Sequence, residues 1–161
     1  MRFPTLYEKE LEEFIGILLG DGSIGIYKSR VKNQIKTQYK VQITLDSREE
    51  QYINHIKNLI NIMFEIEPRL TFRKGENTVD IRMFRKEIFN FLVDKVGLKL
   101  SPKLNTMTIP ERYINKKSEL IIVRGLFDTD GHISITNNNG TRYPRLELRV
   151  SKSRLQDQII E

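Results

Sequence analysis

The 161 residues include no cysteine, which excludes a disulfide framework and a thiolate metal site. Hydrophobic residues make up 39% of the chain, enough to bury a core as one large domain or two small fused ones. The net charge of +6 favours a polyanionic partner, while the absence of a signal-peptide pattern and of any membrane-length apolar run points to a soluble, cytoplasmic protein.

Thr5 to Glu8 reads as a capping box that opens a helix running to about Gly20. Residues 23 to 30 and 37 to 45 read as a hairpin. Its second strand alternates, with Tyr39, Val41, Ile43 and Leu45 on one face and Gln38, Lys40, Gln42 and Thr44 on the other. Ser47 with Glu50 makes a second capping box, and the spacing of Ile53, Ile56, Leu59, Ile60 and Met63 predicts a helix. Residues 69 to 74 and 79 to 84 pair around a Gly75-Glu76-Asn77 turn, and Glu87 to Val96 forms a helix stopped by Gly97. Gly97 to Lys117, with Pro102 and Pro110, reads as a linker with a helical turn after Pro110. Ser118 is expected to cap the next helix, followed by strands at 132 to 138 and 143 to 151 and a helix opened by Ser153 and Gln156.

Two of these helices end alike. Phe14 to Gly22 (FIGILLGDG) and Val123 to Gly131 (VRGLFDTDG) are both apolar helical segments with an internal Gly that close on Asp-Gly. Gly22 and Gly131 are expected to be left-handed helix stops, so that the helices end directly after Asp21 and Asp130. A carboxylate at a helix C-terminus faces the negative pole of the dipole and needs a nearby cation. Small residues one turn earlier, Gly16 and Gly125, would let the two helices pack closely and bring Asp21 and Asp130 together as a site for a hard divalent cation, Mg²⁺. A solvated Asp-Gly helix stop is the plainer reading for either motif alone.

The organisation is therefore α+β, with two pseudo-symmetric halves of αββαββα type packed through the motif helices. The first repeat covers residues 1–100, a linker 101–117 and the second repeat 118–161, the second lacking counterparts of the second hairpin and closing helix. Opposite the apolar stripe of the first half lie Tyr27, Ser29, Lys36, Gln38, Lys40, Gln42, Thr44, Arg69, Thr71, Arg73, Asp80 and Arg82. The matching face of the second half carries His132, Ser134, Thr136, Arg145, Glu147 and Arg149. A two-stranded ribbon fits the DNA major groove, and Arg, Lys, Gln and Asn make bidentate contacts with base edges. The same faces would also be polar if they met only water.

On the doubled motif and these strands the chain resembles the LAGLIDADG homing endonucleases of the single-chain, two-motif type, in particular small archaeal intron-encoded members. The resemblance implies saddle-shaped antiparallel sheets astride the major groove of a long asymmetric double-stranded site. It implies metal ligation by Asp21 and Asp130 with the carbonyls of Gly20 and Thr129, and Mg²⁺ as cofactor, with Mn²⁺ or Ca²⁺ able to substitute for binding. It further implies a monomer that cleaves both strands across the minor groove to leave 3′ overhangs. A polar or basic residue ending the second strand of each repeat is also implied. Aligning the two capping boxes puts that role on Lys152, beside Ser151, while the first half holds Asp46 and Leu45 there, a departure that predicts an asymmetric site. Lys103, in the Gly97 to Lys103 stretch, is a second candidate.

Asp128 reads as structural, His132 as a residue facing DNA and His55 as a surface or boundary residue. The alternatives are a protein of the same fold that has lost cleavage and binds DNA or acts as an intron RNA maturase, and an unrelated basic α+β binding protein.

Overall fold

The computed structural model describes residues 1–31, 34–103 and 105–160. Leu104 of the linker and Glu161 at the end of the second repeat lie outside the described residues, as do Lys32 and Asn33. Helix α1 (Lys9–Leu19) leads into strands β1 (Gly22–Val31) and β2 (Gln34–Asp46), helix α2 (Glu50–Phe64), strands β3 (Arg69–Phe72) and β4 (Thr78–Met83), and helix α3 (Lys86–Asn90). The last continues as a π-helical turn, Phe91–Val96. A short 3₁₀ turn (Glu111–Tyr113) precedes α4 (Lys116–Asp130), β5 (Gly131–Asn138), β6 (Thr141–Leu148) and α5 (Arg154–Ile160).

The first half forms a four-stranded sheet in the order β1-β2-β4-β3, all neighbours antiparallel; β5 and β6 form a separate antiparallel pair. Alternation works as expected: Ile24, Val41, Ile43, Leu45, Val79 and Ile81 share one face and are buried with Phe14, Ile17, Ile56, Ile60 and Phe64. Period-2 strands and a period-3.6 helix thus supply one core. The linker is part of it, since Leu98, Ile109 and Tyr113 are buried. Helix α5 docks on that linker: the Leu155 N–H donates to the Met107 carbonyl at 3.0 Å, and Gln158 Oε1 accepts from the Ile109 N–H at 2.8 Å. The back of β5–β6 differs. Ile133, Ile135 and Leu146 are 64%, 69% and 68% exposed, because no counterpart of β3, β4 and α3 covers them among the described residues.

Helices α1 and α4 pack side by side at backbone contact. A Cβ on Gly16 would stand 2.1 Å from the Ile122 carbonyl oxygen, and one on Gly125 would stand 2.3 Å from that of Glu13. Both are far inside van der Waals contact with atoms that cannot swing away. A buried hydrogen bond pins the same pair, the Ser118 hydroxyl donating to Glu12 Oε1 at 2.6 Å.

Several local expectations are corrected. Gly22 and Gly131 are not left-handed stops: Gly131 is extended (φ −81°, ψ 153°), and the positive-φ glycines are Gly75, Gly97 and Gly140. Both sites need glycine for room, because each strand folds straight back on its helix. A Cβ would meet the Leu18 Cα at 2.5 Å or the Phe127 carbonyl oxygen at 2.2 Å. Helix α1 also stops at Leu19, so Asp21 lies just past its end whereas Asp130 closes α4. The capping boxes are partly displaced. Glu8 caps α1 and accepts the Thr5 N–H at 2.8 Å, but the reciprocal Thr5 hydroxyl bond is replaced by a backbone turn. Glu49 rather than Ser47 precedes α2. Asn115 rather than Ser118 caps α4, accepting the Ser118 N–H at 3.0 Å, because the Ser118 hydroxyl is drawn to Glu12. The Ser153 hydroxyl turns back to the Ser151 carbonyl at 3.0 Å.

A methyl group at the helix crossing should therefore be costly. Gly125→Ala is expected to lose about 1–3 kcal/mol of stability, a drop of roughly 2–4 °C in Tm for each kcal/mol, measured by thermal unfolding. An unchanged Tm would contradict the close packing.

Candidate metal and nucleic-acid site

The two motif helices end against one another. A Cβ on Gly20 would lie 2.0 Å from Thr129 Oγ1 and 3.2 Å from Asp130 Oδ2, so the cap of α1 touches the last turn of α4. Asp21 follows that cap and is tied to the sheet, its carbonyl accepting the Thr44 N–H at 3.2 Å. The two half-buried carboxylates feel each other. Burial and then the Asp130 charge push the Asp21 carboxyl up to about 6, against the opposing pull of Lys103. Burial raises Asp130 as well, again opposed by Lys103.

Lys103 is the cation that this helix end requires. Its ammonium donates to the carbonyls of Leu18, Leu19 and Gly20 at 2.9, 2.8 and 2.7 Å, using three donors on three carbonyls at the end of α1. Burial lowers its pKa to about 8, while Asp130 and Asp21 act in the opposite direction. The Gly20 carbonyl, implied as a metal ligand, is thus already bonded to Lys103. The Thr129 hydroxyl donates to the Leu126 carbonyl at 2.8 Å.

A cleft of about 300 Å³ opens beside this point, lined by Gly20, Lys103, Asp130, Arg149, Ser151 and Ser153 among others. Lys152 is exposed and does not line it, and β6 ends at Leu148, so Lys152 lies beyond the strand rather than at its end. On the other side a wider cleft of about 560 Å³ is lined by Arg48, Glu49, Glu50, Gln51, Tyr52 and Asp128. Asp46, aligned with Lys152, is held by the Arg48 guanidinium and the Arg48 N–H, which bring its carboxyl down to about 2. The two sides are chemically unequal. Asp128 is raised by burial, Arg124 opposing. His55 is a surface residue, its Nε2 2.6 Å from Glu13 Oε1.

The strand register places the expected polar residues on common faces. Tyr27 pairs with Gln38, Ser29 with Lys36, Gln42 with Arg82, Thr44 with Asp80, Arg69 with Arg82 and Thr71 with Asp80. In the second pair His132 lies opposite Glu147, Ser134 opposite Arg145 and Thr136 opposite Tyr143. Tyr27, Ser29, Lys36, Gln38, Arg69, Arg73, His132, Thr136, Arg145 and Arg149 are exposed, and Lys40 lies over the Tyr27 ring at 4.2 Å. Glu147 stands 3.8 and 3.9 Å from Arg145 and Arg149.

Three expected contacts are instead internal. Asp80 is 0% exposed and its carboxylate accepts from Gln42, Thr44, Arg73 and Arg82. Burial alone would raise that carboxyl, but bonds from Arg73 and Thr44 and the charges of Arg73 and Arg82 outweigh it and hold it below the ordinary value. Gln42 is buried in the same network, and the Thr71 hydroxyl is buried without a partner among the described residues. Alternation puts a residue on a face without telling whether its neighbours close over it. The residues that sequence reasoning missed are Glu12, Ser118 as its partner, and Arg48. Glu12, an acid flanked by Leu11 and Phe14 on the buried side of α1, was the available signal.

Because both motif carboxyls are raised above their unfolded values, they destabilise the metal-free fold at neutral pH, and the relief is complete only below the unfolded value. In chelator, Asp21→Asn is expected to melt above the parent at about pH 7.5, with the gap closing as pH falls towards about 4. A gap independent of pH in calorimetry would contradict the strained pair.

The chain is 26% identical over 151 residues to a DNA polymerase of Methanocaldococcus jannaschii, covering 86% of this chain and 8% of that protein. It is 22% identical over 134 residues to a component of the A-type ATP synthase of Pyrococcus abyssi, covering 82% of this chain and 12% of that one. The chain thus spans about a tenth of these relatives. The crystal structure of I-DmoI in complex with DNA and Mn shares the fold, with a TM-score of 0.53 at 17% identity over 94% of this chain and 93% of that one. Residues 11–120 match the model of the LAGLIDADG DNA endonuclease family, and with its two motif helices abutting at their aspartates the chain belongs to that family.

Proposed function

We propose that this chain is a site-specific, divalent-metal-dependent, double-strand DNA endonuclease of the homing type, acting as a monomer on a long asymmetric site. The observation that carries this is the meeting of Asp21 and Asp130 at the abutting ends of α1 and α4, between two antiparallel ribbons with basic faces. The matched stretch is a small share of both a polymerase and an ATP synthase component. Two hosts of unrelated function carrying one module is what an inserted element leaves behind, in keeping with intron or intein homing.

The donor set fits a hard divalent cation. Two carboxylates whose proton affinity is raised by burial, that of Asp21 further by the Asp130 charge, gain most from such an ion. Among the described residues no third His, Cys, Asp or Glu joins them, which suits Mg²⁺, an ion that keeps waters and binds substrate phosphates. Asp21 and Asp130 would hold it, with the Thr129 carbonyl and the free lone pair of the Gly20 carbonyl near. When bound, the ion supplies Lewis-acid polarisation of a phosphate and a more acidic water.

The protein groups do the positioning. The glycine-packed crossing sets the carboxylate spacing, and the ribbons fix the duplex across it so that scissile phosphates enter the clefts. Lys103 offsets the carboxylates and offers a cation beside one phosphate. Among the described residues no lysine bonds the last carbonyls of α4, so the two strands are expected to be nicked at unequal rates. Cleavage across the minor groove with 3′ overhangs follows from the family likeness.

The test is cleavage of a DNA library of randomised sites with Mg²⁺ or with EDTA. Metal-dependent cutting at one long site is expected, reduced at least about 100-fold by Asp21→Asn or Asp130→Asn. Tight sequence-specific binding without cleavage under any divalent ion would overturn the nuclease and favour a DNA-binding protein or intron RNA maturase of this fold.

A further inference from the structure

We propose that Arg82 reads a guanine in the major groove, and that Asp80 is the positioning residue that aims it. The inference rests on the DNA-recognition reading above and names the base contact made at the middle of the first sheet.

Asp80 sits on the inner strand β4, opposite Thr44 of β2 and Thr71 of β3. Its carboxylate takes Gln42 Nε2 at 3.1 Å, Thr44 Oγ1 at 2.8 Å, Arg73 Nε and Nη2 at 3.1 and 3.0 Å, and Arg82 Nη2 at 2.6 Å. A carboxylate has about four acceptor sites. All are used, and the group is fully buried, so it has nothing to offer a cytosine amine.

The arginines differ in what remains. Arg73 spends one edge on Asp80, and its Nη1 stands 3.6 Å from Glu76. It neutralises the carboxylate. Arg82 donates from Nε to Gln42 Oε1 at 3.0 Å and from Nη2 to Asp80, so only the inner edge of its fork is pinned. The Nη1/Nη2 end remains for a ligand, in a side chain 27% exposed on the open face. A guanidinium held before binding loses little rotational freedom on contact. Guanine presents O6 and N7, two acceptors that match the fork, whereas adenine opposes it with its N6 donor. A phosphate is served better by charges that pair with no carboxylate among the described residues, such as Lys36 at the exposed end of the same face.

The test is selection from a randomised duplex library in Ca²⁺, with wild type, Asp80→Asn and Arg82→Lys. Wild type is expected to enrich a guanine in one half-site. Both variants should lose discrimination at that position by on the order of tenfold or more. The remaining positions should stay the same, and the salt dependence of Arg82→Lys should be unchanged because no phosphate contact is lost. Asp80→Asn should bind unrelated DNA more tightly, since it removes a negative charge from the face. A uniform loss of affinity with the guanine preference intact would make Asp80 merely structural and overturn the proposal. So would a wild-type site whose guanine positions ignore both changes. Arg82→Lys, which keeps the charge, decides the matter if Asp80→Asn fails to fold. No enriched site for wild type would overturn DNA recognition itself and this assignment with it.

Discussion

Everything in this molecule depends on the contact between α1 and α4 at backbone distance. Gly16 lies against the Ile122 carbonyl and Gly125 against that of Glu13, so neither helix can move without the other. The Glu12–Ser118 hydrogen bond fixes the pair along its axis, because breaking it would leave a buried carboxylate without its donor. Given that crossing, the positions of Gly20, Thr129 and Asp130 follow, and the sheets hang from the same helix ends through Gly22 and Gly131. One steric constraint thus sets the aspartate pair and the angle at which the ribbons leave it.

The electrostatics are arranged around the same point. Two partly buried acids at helix C-termini are unfavourable by dipole, by desolvation and by mutual repulsion. Lys103 answers part of this by capping three α1 carbonyls, at the cost of its own desolvation. What it leaves unanswered is the tension on which the proposed divalent-cation site rests. The first sheet shows the opposite treatment of an acid, for Asp80 is buried but saturated by donors and held ionised. One carboxylate pair is kept in tension and one carboxylate is satisfied, and the proposed roles divide accordingly between chemistry and base reading.

Much of this was legible in the sequence because its signals are periodic or repeated. The doubled Gly-x₄-Asp-Gly spacing locates the helix pair, and alternation in β2 separates its polar face from its buried one. Expectations that hinge on one local bond fared worse. Ser47, Ser118 and Ser153 look like caps, yet the Ser118 and Ser153 hydroxyl groups have tertiary or other backbone partners that compete with the cap, and α2 begins after Glu49. Gly22 and Gly131 stand out in the sequence as required glycines, but close approach and positive φ leave the same mark there, and the structure uses the first. Lys103 could be singled out from the linker, but only the fold shows that the linker packs into the core and carries it to the end of α1. The closure of Gln42, Arg73 and Arg82 over Asp80 joins three strands, and no local pattern encodes it.

The central claim is that Asp21 and Asp130 form one cation site at the helix crossing. The most direct measurement is Mn²⁺ titration of the isotope-labelled chain, following paramagnetic broadening of backbone amides. The account predicts that broadening begins together at Gly20–Gly22 and Thr129–Gly131, and that either Asn substitution at Asp21 or Asp130 weakens it at both. Broadening centred on only one of these segments, or first at Glu49 and Glu50 at the start of α2, would contradict a shared site.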